Sequence, residues 1–186
     1  MSALSIKNTP IAGLKVIERT KHQDSRGFLS RLFCAEELKQ AGWKKEISQA
    51  NHTHTVKKGT VRGMHFQHRP HAEMKLVSCI RGVIWDVALD LRRGSPTFLK
   101  WHGEELSLQN NRALLIPEGF AHGFQTLTPD CELIYFHSQS YNSDNEGGVN
   151  PNDPNIGINW PDAVAELSER DKEHPMLTTN FQGLSV

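Results

Sequence analysis

GVIWDVALDL (82–91) alternates: Val83, Trp85, Val87, Leu89 and Leu91 fall on one face, Ile84, Asp86, Ala88 and Asp90 on the other. A period of two is that of a half-buried β-strand. Short runs of the same kind lie on both sides: LKVIE (14–18), FLSRLF (28–33), EISQANHT (46–53), GTVRGMHF (59–66), MKLVSCI (74–80), RALLIP (112–117), HGFQTL (122–127) and ELIYFHS (132–138). Turn signals separate them: Arg81-Gly82, Arg93-Gly94-Ser95-Pro96, Pro117-Glu118-Gly119 and Thr128-Pro129-Asp130. AEELKQAG (35–42) reads as a short helix ended by Gly42, and LSERDKEHP (167–175) as a helical turn with Ser168 as N-cap. Eight or more strands in one domain predict an all-β sandwich or barrel. The jelly roll fits best, because it manages its edge strands within about 150 residues. No repeat or low-complexity linker divides the chain, so residues 1–186 are expected to form one domain. From Asn142 the chain is rich in Asn, Asp, Gly and Pro, which predicts an ordered loop segment, 142–186, lying over an opening of the barrel.

The chain has 186 residues and a mass of 21.0 kDa. A folded monomer of that size buries about 70% of its surface, enough for a full core. Lys plus Arg is 21 and Asp plus Glu is 21, a balance that argues against a basic nucleic-acid binder and an acidic disordered tail. There is no apolar run long enough to span a membrane, and the first residues lack the pattern of a secretory signal. Cys34, Cys79 and Cys131 are odd in number and form no CxxC, which predicts a reduced, cytoplasmic chain.

Ten histidines make imidazole chemistry the first thing to seek. His52 and His54 form an HxH, and His65, His68 and His71 follow. PEGFAH (117–122) has the spacing of the second cupin motif, yet the position two residues after His65 holds Gln67, a poor ligand for zinc or iron. The expectation is therefore no metal. General acid–base work is the second candidate. In GTVRGMHF, alternation puts Val61, Gly63 and His65 on one face, where small Gly63 leaves room beside the imidazole, with Lys75, His122 and Tyr135 within reach on other strands. An anion site is the third: Arg26, Arg62 and the polar strand Gln49-Ala50-Asn51 could hold phosphates, for which guanidinium offers a bidentate fork.

DSRGF (24–28), SQAN (48–51), GTVRGMHFQ (59–67), KLV (75–77), DVALDLR (86–92), SPTF (95–98), IPEGFAHGF (116–124), Tyr135, DPNIGINWP (153–161) and LSERD (167–171), in this order, resemble the dTDP-4-dehydrorhamnose 3,5-epimerase family. The resemblance implies a cupin jelly roll with a few short helices, a homodimer, acting without cofactor or metal on a nucleotide-diphospho-4-keto-6-deoxy sugar. Inversion at C3, C5 or both would serve deoxysugar and cell-surface polysaccharide (lipopolysaccharide) biosynthesis, with no nucleic-acid or membrane partner. It assigns His65 as the base, Asp171 as the residue orienting it, Tyr135 as the acid on the opposite face and Lys75 as the group stabilising the enolate. Substrate contact falls to Arg26, Arg31, Gln49, Asn51, Arg62, His122, Tyr141, Glu146 and Arg170.

The chain departs from the family pattern at several positions. Arg31 stands where a glutamate usually helps bind the nucleotide, Ala50 where an aspartate is common, and Phe136 where a lysine usually follows the tyrosine. His137 replaces a small residue, Arg170 replaces a lysine, and NEGGVNPNDP differs from the usual stretch. These departures suggest retained epimerase chemistry on a different nucleotide or sugar, such as a CDP- or GDP-linked one. A mono-epimerase, a metal-dependent cupin oxygenase or isomerase, and a non-catalytic sugar-nucleotide binder are the alternatives.

Overall fold

A computed structural model describes residues 3–186. Among these, the strands are β1 (Leu4–Asn8), β2 (Lys15–Arg19), β3 (Lys21–Asp24), β4 (Gly27–Ser30), β5 (Gln49–Thr55), β6 (Val61–Gln67) and β7 (Lys75–Arg81). They continue with β8 (Val83–Asp90), β9 (Trp101–Ser107), β10 (Arg112–Ile116), β11 (Phe120–Thr126), β12 (Cys131–His137) and β13 (Glu146–Gly148). Helix α1 (Ala35–Leu38) runs into a 3₁₀ turn, and α2 (Glu169–Glu173) lies near the end of the chain. No helix is long and apolar enough to cross a membrane among the described residues.

Two antiparallel sheets face each other, in the order β1-β2-β10-β7-β12-β5 and β13-β6-β11-β8-β9; β3 and β4 form a separate hairpin. This is the expected jelly roll. Between the sheets lie Val16, Val77, Leu114 and Leu133 from the first and Ile84, Ala88, Leu106 and Phe124 from the second, all buried.

The strand β8 differs from its reading as half-buried. Its inward face is the one carrying Asp86 and Asp90, while Val87, Leu89 and Leu91 point outward into a second apolar layer. The C-terminal segment builds that layer: Ile156, Ile158, Trp160, Leu177, Phe181 and Leu184 pack against the outer face of the second sheet. The segment expected to lie over an opening therefore covers mainly a sheet face, and only Glu146 and α2 with its flanks reach the barrel mouth. A third layer, from Leu38, Ala41 and Trp43, covers the outer face of the first sheet. The predicted strand 28–33 ends at Ser30, since Phe33 must turn in to pack edge-on against Trp43, ring centroids 5.4 Å apart. β1, β3, β9 and β13 were not expected. Most of their residues are exposed or half-exposed and their apolar alternation is weak.

At the end of β8, Asp90 ties three turns together. Its carboxylate accepts from the Arg92 guanidinium at 2.7 Å, from the hydroxyls of Ser95 at 2.5 Å and Thr97 at 2.7 Å, and from the Arg92 backbone N–H at 3.0 Å. Burial alone would raise this carboxyl, but those donors outweigh it and hold it below the usual carboxylate range. A carboxylate depressed in the folded state stabilises above its unfolded value, about 3.9, and loses that contribution as pH falls through the folded value. Asp90→Ala is expected to cost on the order of 3 kcal/mol in urea unfolding at neutral pH, because it leaves Arg92 unpaired. The gap between variant and wild type should shrink below about pH 4; a gap independent of pH would show that the charge of Asp90 is not what stabilises the turn.

Candidate active site

A cavity of about 770 Å³ opens between the sheets, walled by β6 and β11 on one side and β5, β7 and β12 on the other, with α2 at its rim. Its form depends on an irregularity in β6. Opposite β11, His122 faces His65 and Phe124 faces Arg62, so three steps along β6 match two along β11. The extra residue breaks the alternation, as a β-bulge does, and both Arg62 and His65 line the cavity. Strict alternation had placed Gly63 beside His65. Instead Gly63 packs against β11, where a Cβ would come within 2.5 Å of the Gly123 Cα, and its φ of +135° suits only glycine.

His65 is held from below. Its Nε2 lies 2.7 Å from Asp171 Oδ1, and the other carboxylate oxygen accepts the Gly63 backbone N–H at 3.2 Å. Asp171 is held in turn by the helix start, its N–H donating to the Ser168 hydroxyl at 3.1 Å. Burial would raise the Asp171 carboxyl, but His65, the Gly63 N–H and Arg170 keep it below the usual range. A carboxylate accepting from Nε2–H leaves the lone pair of the ring on Nδ1, oriented and made more basic.

Tyr135 comes from the opposite sheet. It is buried on β12, its ring centroid 6.0 Å from that of His122, and burial pushes its phenol well above the usual value. It is therefore protonated at neutral pH and can donate. Beside it on β7, Lys75 Nζ lies 3.0 Å from Glu73 Oε1 and 3.5 Å from the His65 carbonyl oxygen. Burial would raise Glu73, yet the charge of Lys75 and the neighbouring His137 outweigh it and lower its carboxyl. On the His65 wall, His122 Nε2 lies 2.7 Å from Asp86 Oδ1, with both side chains buried. Burial pushes the Asp86 carboxyl up and the His122 imidazole down, while the attraction between the two works against both shifts.

The rim is polar. The Gln49 carbonyl oxygen accepts the Tyr141 N–H at 2.9 Å, and the Gln49 amide donates to Asn51 at 3.0 Å. The Tyr141 hydroxyl donates to Glu146 at 3.0 Å, leaving a half-exposed ring over the opening. Arg170 pairs with Glu146 at 3.2 Å and lies 3.2 Å from His65 Nε2.

The structure thus brings His65, Asp171, Tyr135, Lys75, His122, Gln49, Asn51, Arg62, Tyr141, Glu146 and Arg170 to one cavity. Arg26 and Arg31 stand apart from it in this chain. Arg26 is at the tip of the β3–β4 hairpin, paired with Asp24 at 2.6 Å, and Arg31 is paired with Glu37. His52 and His54 do not converge: each binds its own carboxylate, Glu132 at 3.0 Å and Asp130 at 3.2 Å. One group among the described residues has ligand atoms near enough together for a single ion: His65, Asp171 and His174. Sequence reasoning passed over Glu73, Asp86 and His174. Asp86 carried a signal, since a carboxylate on the same strand face as Ile84 and Ala88 needs a buried partner. Glu73 and His174 lie where no periodicity speaks.

Residues 8–179 match the dTDP-4-dehydrorhamnose 3,5-epimerase family. The chain is 40% identical over 190 residues to a dTDP-4-dehydrorhamnose 3,5-epimerase of Sinorhizobium fredii, covering 100% of this chain and 97% of the relative. Among solved structures it resembles the Bacillus anthracis dTDP-4-dehydrorhamnose 3,5-epimerase with TDP and PPi bound. There the TM-score is 0.90 and the identity 38%, over 94% of this chain and 100% of that one. It also resembles a Legionella pneumophila 3,5-epimerase in complex with dTDP-4-keto-L-rhamnose, with TM-score 0.88 and 37% identity over 93% and 92% of the two chains.

Gly63→Ala tests the role of the bulge. The added methyl meets backbone on β11, so β6 must move, and a loss of more than about 2 kcal/mol in urea unfolding is expected. A variant of unchanged midpoint would show that the strand pair has slack the close contact denies.

Proposed function

Because the chain belongs to the dTDP-4-dehydrorhamnose 3,5-epimerase family, we propose that it inverts carbons flanking the ketone of a dTDP-linked 4-keto-6-deoxy sugar, in deoxysugar biosynthesis. The observation that carries this reading is the oriented base of one sheet, His65 on Asp171 at 2.7 Å, across a shared cavity from the protonated phenol Tyr135 on the other. Inversion requires a proton to leave one face of the sugar and return to the other. Opposed sheets supply opposed faces.

In the proposed reaction His65 Nδ1 takes the proton alpha to the 4-keto group, and Asp171 stabilises the imidazolium that results. Charge develops on the ketone oxygen, where the Lys75 ammonium offers a preorganised donor. Tyr135 returns a proton to the far side. His122, paired with Asp86, lines the same wall as His65. Arg62 and the polar rim of Gln49, Asn51, Tyr141, Glu146 and Arg170 receive the diphosphate and the base, with the Tyr141 ring as a stacking surface.

The departures that suggested another nucleotide carry less weight in three dimensions. Phe136 lies in the apolar layer outside the first sheet, Ala50 is its cross-strand partner, and Arg31 is paired away from the cavity. Of that set only His137, Arg170 and, from NEGGVNPNDP, Glu146 line the cavity. Thymidine diphosphate is therefore the proposed handle.

The chain is further proposed to work as a homodimer. Arg26 is 88% exposed, and its hairpin also exposes Phe28 and Leu29, while β5 beside the cavity is a sheet edge. A hairpin of this kind suits an interface, and Arg26 would then serve the cavity of the neighbouring copy.

Proton NMR in D₂O with dTDP-4-keto-6-deoxyglucose tests the chemistry. Exchange at C3 and C5 is expected, slowed about 10²–10⁴-fold by His65→Ala and by Asp171→Asn. Tyr135→Phe should retain exchange while losing inversion. Wild-type exchange rates in His65→Ala would reject this base, and faster turnover of a CDP- or GDP-linked sugar would reject the thymidine handle. The dimer is tested by mixing Arg26→Ala with His65→Ala chains. If Arg26 acts across the interface, random mixing should restore about a quarter of wild-type activity, and no recovery would mean that it does not.

A further inference from the structure

We propose that His65, Asp171 and His174 form a zinc site at the rim of the cavity, whose occupation switches off the base. His174 caps the C-terminus of α2, one turn after Asp171, and its Nε2 lies 3.8 Å from Asp171 Oδ1. That nitrogen is buried and makes no hydrogen bond among the described residues. The ring is held edge-on to His65, centroids 5.5 Å apart, and is walled by β13, where a Cβ on Gly148 would lie 2.3 Å from it. A buried ring nitrogen that has no hydrogen bond and lies 3.8 Å from a carboxylate oxygen leaves a ligand position open between them.

The donor set suits a borderline metal: two imidazole nitrogens and one carboxylate oxygen, with a fourth position left for water from the cavity. Bonds of about 2.0–2.1 Å around a tetrahedral ion set neighbouring ligand atoms about 3.4 Å apart. The two separations from Asp171 Oδ1, 2.7 Å and 3.8 Å, bracket that value, and all three atoms lie within 4.8 Å of one another. Arg170 opposes the ion at two of its ligand atoms, 3.2 Å from His65 Nε2 and 3.6 Å from Asp171 Oδ1, but it is half-exposed and has Glu146 as an alternative partner.

Zinc on Nε2 takes the lone pair of that nitrogen, so the proton of the neutral imidazole must sit on Nδ1. The nitrogen that faces the sugar in the proposed reaction is then protonated and cannot accept. Binding itself does not depend on the epimerase reading; only its effect on turnover rests on it.

Calorimetric titration of the chelator-treated protein with zinc, alongside the visible absorption of bound cobalt, reads the site directly. One equivalent is expected in the wild type. Loss of a ligand should weaken it by more than about 100-fold, since even outer partners cost 10–100-fold. That loss is expected in His174→Ala and in His174→Phe, which keeps the ring volume, whereas Arg170→Gln should tighten binding. A His52→Ala/His54→Ala double variant should bind as the wild type does. No zinc bound by the wild type, binding retained in both His174 variants, or binding lost with the surface pair would each overturn the site. Proton exchange measured in saturating zinc separates the two readings: if zinc binds through the three ligands and exchange continues, the assignment of His65 as base fails and the metal site stands.

Discussion

One carboxylate joins the two ends of this fold. Asp171 sits in a five-residue helix far along the chain, yet its two oxygens hold the His65 ring and the Gly63 backbone of β6. The hydrogen bonds are charge-assisted and largely buried, the setting in which such bonds are strongest. They orient the imidazole and also dock the tail against the strand that needs it. The cavity, the bulge and the helix are consequently parts of one arrangement.

The remaining charges are placed so that the cavity can be both dry and polar. Glu73 offsets Lys75, Glu146 offsets Arg170, and Asp86 pairs with His122. Each of these charged groups has a partner, so none carries the full penalty of an isolated charge.

Much of this was legible in the residues. Alternation found the central strands, and Ser168 was correctly read as a helix cap because its hydroxyl has a local partner three residues on. The motif around His65 pointed to the cavity. What alternation could not convey was the bulge in β6, which turns Arg62 inward and Gly63 toward β11, because a bulge is set by the partner strand. Nor could it show which face of β8 is interior. Both faces are buried, and the apolar one is covered by a segment whose Asn, Pro and Gly content reads as loop. Arg26 and Arg31 illustrate a different limit: sequence order places them in a motif, while the fold of a single chain carries them away from the pocket.

The wrapping of the C-terminal segment over the second sheet bears on how the molecule is made. Ribosomes deliver that segment after the strands it covers. Until it emerges, Val87, Leu89 and Leu91 have no cover, and His65 lacks its carboxylate. A chain that lacks the segment is thus adhesive and leaves the His65 ring unheld, and the same docking event ends both conditions. Surveillance by chaperones and proteases, which read exposed apolar surface, would in this protein coincide with surveillance of how that ring is placed.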